Sequence, residues 1–229
     1  IEDSNSRFVF ATSPHEPLVL PITDQLQDRD LMAIGFEAEG WTSYESFISK
    51  ASVDSPWVKT VDQDECVVIY SSGTTGVPKG IVHTQQTRID MTQGMGVEFR
   101  IHSGSTVVIS TPLFSNATWA TLLPSMAAGG LTVVLETFDP EAFLRVVEEE
   151  KASHIFLVPT QYQAVLDHPA FASADVSSLE GMISMGSTMP LPLKHRILDE
   201  MGPGLMELYG LTEGLGTILK PEDVVAKTG

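Results

Sequence analysis

Along this chain, short apolar runs alternate with longer segments in which apolar residues recur at helical spacing. The runs at 7–11 and 31–36 predict strands, and 42–52 predicts a helix capped by Thr42 or Ser43. Residues 53–64 are polar, contain Pro56 and predict a surface connection. The run 66–70 (CVVIY) predicts a buried strand, 71–78 a loop, and 80–83 a short strand entering a helix over 85–99. The pattern then repeats. A strand at 106–110 precedes a helix at 117–128, which Gly129 and Gly130 stop, and a strand at 131–135 follows. Asp139 before Pro140 is an N-cap with proline at the first helical position, opening a helix over 141–151. Further strands fall at 154–158, 182–185 and 205–209, separated by helices at 160–167 and 191–201. The last, acidic stretch predicts irregular structure. This alternation of near-continuous apolar strands with helices indicates an α/β fold of layered, largely parallel sheets flanked by helices. Ligands bind such sheets where strands run out into loops. The distinctive loops, 71–80, 186–189 and 210–214, each follow a predicted strand.

Length and composition narrow the class. At about 100–200 residues per domain, 229 residues make one large domain or two small ones. Hydrophobic residues at 42% against 19% charged suit a globular chain with a real core. Cys66 is the only cysteine, so no intramolecular disulfide is available, and a reducing, cytoplasmic location is expected. No secretion signal and no apolar run of about 18 residues occur, so no membrane span is expected. The formal charge of -17 argues against nucleic acid or an anionic membrane as a partner.

A small polyanion is different, because it answers to local charge. No Asp or Glu occurs between Glu65 and Asp90, and Lys79 sits inside that window. Residues 1–65, by contrast, carry 13 acidic against 4 basic side chains. Within the window lie Ser71, Ser72, Gly73, Thr74, Thr75, Gly76 and Lys79. Glycines let backbone N–H groups turn inward and approach an anion closely. The hydroxyls add neutral donors, and hydrogen bonds to a charged phosphate contribute roughly 1.5–3 kcal/mol each. A flexible linker has no reason to contain lysine or to follow an apolar strand directly. A Walker-type loop needs Gly-Lys-Ser/Thr opening a helix. Here Gly80, Ile81 and Val82 follow Lys79, so that motif is excluded.

Residues 70–80 (YSSGTTGVPKG) resemble the signature of the ANL superfamily of AMP-forming enzymes: acyl-CoA synthetases, amino-acid adenylation domains and luciferases. Tyr209-Gly210-Leu211-Thr212-Glu213 is similar to the family's YGxTE motif. Gly186-Ser187-Thr188-Met189-Pro190-Leu191 is similar to its looser adenine-wrapping stretch. The resemblance runs from about residue 40 to the end and implies an acetyl-CoA synthetase-like N-terminal domain.

The resemblance also implies roles. The 71–79 loop would hold the ATP phosphates, and Gly186, Ser187, Thr188 and Gly210 would border the nucleotide. The Tyr209 ring would stack on adenine, unless it is a core tyrosine. Thr212 would donate to the α-phosphate, and Glu213 would hold Mg²⁺, a hard cation that takes oxygen ligands. Alone, Glu213 reads as a solvated loop carboxylate. Lys79, Thr212 and Glu213 are thus the catalytic candidates, with Glu207 a weaker acid nearby. Residues 112–118 (PLFSNAT) fall where many acyl-CoA ligases show PLFHxxG, with Ser115 in place of histidine and Thr118 in place of glycine. Ser115 and Asn116 are able to donate hydrogen bonds there. Amino-acid-activating relatives carry an Asp in this region, and none occurs between Asp90 and Asp139, which favours an acid without an α-amino group. Phe114, Trp119 and Met126 line an acyl pocket or belong to the core. His83, His154 and His195 show no metal-ligand spacing and read as structural.

The implied reaction is attack of a carboxylate on the α-phosphate of ATP, then acyl transfer to a thiol, coenzyme A. The partners are therefore ATP, Mg²⁺, CoA and a fatty or aromatic acid. Loading of a carrier protein, or nucleotide binding without catalysis, are the alternatives. Residues 1–62 read as an incomplete leading part of the N-terminal domain and 63–229 as its ATP- and acyl-binding core. Both ends read as cut, with the C-terminal domain beyond the chain.

Overall fold

The computed structural model describes residues 1, 3–71, 76–214 and 216–226, and it divides into two compact units, Ile1–Val61 and Asp62–Gly229. In the first unit, β1 (Phe8–Thr12), β2 (Asp30–Ile34) and β3 (Thr42–Ser43) form a parallel sheet in that order. Val9, Leu26 and Leu31 are its small core, with Ile22 and Trp41 packed against them. A short α1 (Glu16–Val19) lies between 3₁₀ turns. The predicted helix at 42–52 shrinks to α2 (Tyr44–Ile48). Ser43 caps it by accepting from the Ser46 N–H. Ser49 Oγ then donates to the Ser46 carbonyl, a local bond that competes with continued helix.

The second unit opens with a hairpin, β4 (Glu65–Ser71) antiparallel to β5 (Lys79–Thr84), followed by α3 (Gln85–Glu98). β4 was expected to be buried, and it is not. Among the described residues it pairs only with β5, Val67 to Ile69 are half-buried, and Cys66 and Tyr70 are exposed. Its continuous apolar run imitates a central parallel strand, whereas the hairpin leaves part of both faces open.

Five strands of a six-stranded sheet then alternate with helices: β6 (Thr106–Ile109), α4 (Asn116–Ala128), β7 (Leu131–Val134), α5 (Pro140–Glu149), β8 (His154–Leu157), α6 (Pro159–Asp167), β9 (Gly181–Ser184), α7 (Leu191–Glu200) and β10 (Leu205–Gly210). The expected helix signals operate. Gly129 ends α4 in the left-handed region at φ 74, and the Asp139 carboxylate accepts from the Ala142 N–H at 2.8 Å. The stretch expected to be irregular forms β11 (Gly216–Leu219), antiparallel to β10, and α8 (Pro221–Ala226). Pro221 opens α8, with Glu222 and Asp223 favourably placed in its first turn.

The strand order is β11-β10-β9-β8-β6-β7. From β6 the chain steps outward to β7, then returns past β6 to lay down β8, β9 and β10 on the other side. The switch point therefore lies between β6 and β8, where ligands of open α/β sheets bind beyond the strand ends. Side chains alternate between two cores. Ile155, Leu157 and Met182 pack with Phe143, Leu144 and Val147 of α5 on one face. Phe156, Ile183, Met185 and Met206 pack with Phe99 and Ile109 on the other. Tyr162 of α6 is fully buried and donates its hydroxyl to the Ile183 carbonyl at 3.0 Å. His154 is held between the Phe99 carbonyl and Ser153 Oγ, a packing role.

Candidate active site

The second core continues beyond the strand ends into a cavity of about 320 Å³. Its walls come from β4 (Ile69, Tyr70), α3 (Met91, Met95), the turn entering α4 (Phe114, Ser115) and the start of α4 (Asn116, Ala117, Ala120), the turn after β9 (Met185, Gly186) and β10 with its following turn (Leu208, Gly210 to Thr212). Pro124 inside α4 has no N–H to give the Ala120 carbonyl, so one cavity-wall residue lacks its helical partner. A second cavity of about 370 Å³ adjoins the first, sharing Gly186, Leu208 and Gly210. Ser187, Thr188 and Tyr209 line it.

The chain thus gathers most of the sequence candidates at one end of the sheet. Tyr209 is 69% exposed at the end of β10, which excludes the core-tyrosine reading. Gly186 follows β9 at φ 97 and Gly76 sits at φ 79, both conformations that favour glycine. Ser71 and Lys79 face each other across the hairpin as the last pair of β4 and β5. Ser72, Gly73, Thr74 and Thr75 lie outside the described residues. Thr212 borders the first cavity, and Glu213 follows it on an exposed turn. Phe114 (85% exposed), Ser115 and Asn116 border the same cavity. Trp119 and Met126 are not among its lining residues. The Trp119 Nε1–H donates to the Leu113 carbonyl at 2.6 Å, and its ring lies 4.8 Å from the Arg88 guanidinium carbon. Met126 is largely exposed.

Two buried side chains outside the motifs support the site, His83, read from sequence as structural, and Arg88. His83 of β5 is 2% exposed, and its Nε2 lies 2.7 Å from the Thr212 carbonyl. Since a carbonyl only accepts, Nε2 carries the proton and donates. Burial, with the Arg88 cation nearby, pushes the imidazole below its ordinary pKa. His83 therefore joins the strand after the glycine-rich loop to the Thr212-Glu213 turn. Removing this donor with His83→Leu is expected to cost about 1 kcal/mol, seen as a lower denaturant midpoint, with partial recovery in His83→Gln. Arg88 of α3, 6% exposed, is the second; no motif marked it.

A hard cation shared with phosphates needs only one or two protein carboxylates. Among the described residues no cluster of three potential metal ligands occurs, but Glu213 is exposed and makes no salt bridge. That exposed carboxylate, one residue after Thr212, suits such an ion. Glu207 does not, because Lys194 neutralises it at 2.5 Å with both side chains largely buried.

Comparison with known proteins identifies the family. The family model described as AMP-binding enzyme matches residues 1–229. A feruloyl-CoA synthase from an Amycolatopsis species is 36% identical over 157 residues, covering 68% of this chain and 32% of that protein. An indoleacetate–CoA ligase from Aromatoleum aromaticum is 30% identical over 214 residues, covering 90% of this chain and 41% of that protein. The crystal structure of the N-terminal domain of FACL13 from Mycobacterium tuberculosis superposes with a TM-score of 0.84 at 25% identity, covering 98% of this chain and 56% of the other. The chain thus spans about a third to two-fifths of the length of these curated relatives.

Proposed function

This chain belongs to the AMP-binding enzyme family, and from that premise we propose that it is the nucleotide- and acyl-binding part of an AMP-forming acid–CoA ligase. The observation that carries the reading is the pair of adjoining cavities that meet at Gly186 and Gly210. One is walled mainly by apolar side chains and suits an acyl or aryl group; the other has Tyr209, Ser187 and Thr188 and suits a nucleoside base. A carboxylate lying at their junction would attack the α-phosphate of ATP, forming the acyl–phosphate bond of acyl-AMP and releasing pyrophosphate. The thiolate of coenzyme A would then attack the acyl carbon and release AMP.

Two anions must meet in the first step, so the protein's task is to neutralise charge and align the groups. Lys79 supplies a cation, the Thr212 hydroxyl a neutral donor, and Glu213 a carboxylate for Mg²⁺. Magnesium bound there would offset the phosphate charge. His83 keeps the Thr212-Glu213 turn against β5. Relatives named for feruloyl, indoleacetate and fatty-acid substrates favour an aromatic or aliphatic acid. The domain assignment, with an incomplete leading part at 1–62 and the core at 63–229, belongs to the same proposal. A screen of fatty and aromatic acids in ATP–pyrophosphate exchange by the whole enzyme tests it. Acid-dependent exchange, followed by acyl-CoA formation, is expected; no exchange with any acid of either class would overturn it.

A further inference from the structure

Arg88 is a buried cation with no carboxylate partner among the described residues. Its Nη1 donates to Asn116 Oδ1 at 2.9 Å, and its guanidinium lies against the Trp119 ring. Nε and Nη2 are buried and have no hydrogen-bond partner among the described residues. No salt bridge to it occurs among them, and burial lowers its pKa. A guanidinium placed this way is costly, and an apolar side chain of similar volume commonly does as well or better for stability. Its cost therefore points to a use.

The use follows from its partner. Asn116 is one of the few polar residues in a cavity otherwise walled by Met91, Met95, Ala120 and Leu208. An unconstrained amide presents either end to a ligand. Here a cationic donor claims Oδ1, and the NH₂ end of the rigid planar group is turned away from Arg88. Arg88 also lies three residues before Met91 and seven before Met95, hence on the helix face that lines the cavity. We propose that Arg88 is a positioning residue that orients Asn116 as an amide donor in the acyl cavity, so that the preferred acid carries an oxygen acceptor on an otherwise apolar body.

This rests on the ligase reading, and the experiment separates the two. ATP–pyrophosphate exchange by the whole enzyme is measured with cinnamic acid and its ortho-, meta- and para-hydroxy derivatives, and with octanoic acid and its hydroxylated analogues. At least one oxygenated acid should exceed its parent acid in kcat/KM by about tenfold or more, because a site built to hydrogen-bond an acceptor discriminates strongly against its absence. In Asn116→Val and Arg88→Met that ratio should fall towards one, through the KM of the oxygenated acid rather than of ATP. Arg88→Lys, which keeps a cationic donor, should retain part of it. The thermal midpoint of Arg88→Met should be no lower than that of the parent enzyme, whereas a purely structural arginine would lower it. Exchange without preference for any oxygenated acid, or a preference that survives both substitutions, overturns the inference alone. Absence of exchange with every acid overturns it together with the ligase reading.

Discussion

Glu213→Gln in the whole enzyme is expected to lower ATP–pyrophosphate exchange by roughly 10²–10³-fold, the usual cost of one group that stabilises developing charge. The change keeps the shape of the side chain and removes only its charge. Glu213 is exposed and makes no salt bridge among the described residues, so the fold has little stake in it. The thermal midpoint should hardly move. Glu207→Gln is the informative control. Glu207 is ion-paired with Lys194, and loss of its charge leaves a largely buried ammonium unpaired. That variant should lose stability and retain exchange within about tenfold of the parent. If Glu213→Gln exchanges within a few fold of the parent while Glu207→Gln does not, the two carboxylates have been assigned the wrong way round.

The contrast between these two glutamates shows what sequence carries and what it leaves out. Glu213 stands out because it closes the YGLTE motif on a loop. The neutralisation of Glu207 depends on Lys194, from α7, meeting β10 across the sheet, and no local pattern records that. The layered α/β alternation was legible for the same reason that the caps were: period, proline and glycine act over a few residues. Asp139 and Gly129 do as their types predict. β4 misled because a continuous apolar run looks alike in a buried parallel strand and in a half-open hairpin. β11 and α8 were missed because each is short, and pairing with β10 rather than intrinsic pattern makes β11 a strand. Arg88 illustrates the same limit at the site. Its spacing on α3 was visible, but burial beside Asn116 and Trp119 is a tertiary fact.

The two cores make separable contributions, and one pair of substitutions should show it. Phe156→Ala and Phe143→Ala each remove a fully buried ring, at an expected cost of about 3–5 kcal/mol. At this size each kcal/mol lowers the thermal midpoint by about 2–4 °C, so both variants should melt well below the parent. Their effects on acid recognition should differ. Phe143 of α5 packs on the face of the sheet remote from the cavity, with Leu144 and Val147. Phe156 of β8 packs with Met185, and Leu208 borders the same cluster. Met185 and Leu208 are themselves cavity wall. A hole at position 156 invites them to relax into it, because a packed interior collapses onto a void as far as its neighbours allow. The cavity floor then drops. Phe156→Ala should therefore raise the KM for the best acid and shift preference towards bulkier ones, measured below the melting range of the variant. Phe143→Ala, compared at the same margin below its own midpoint, should keep the parent's order of acids. An equal loss of acid selectivity in both would mean that selectivity follows overall stability, and the cavity would not be the acyl site.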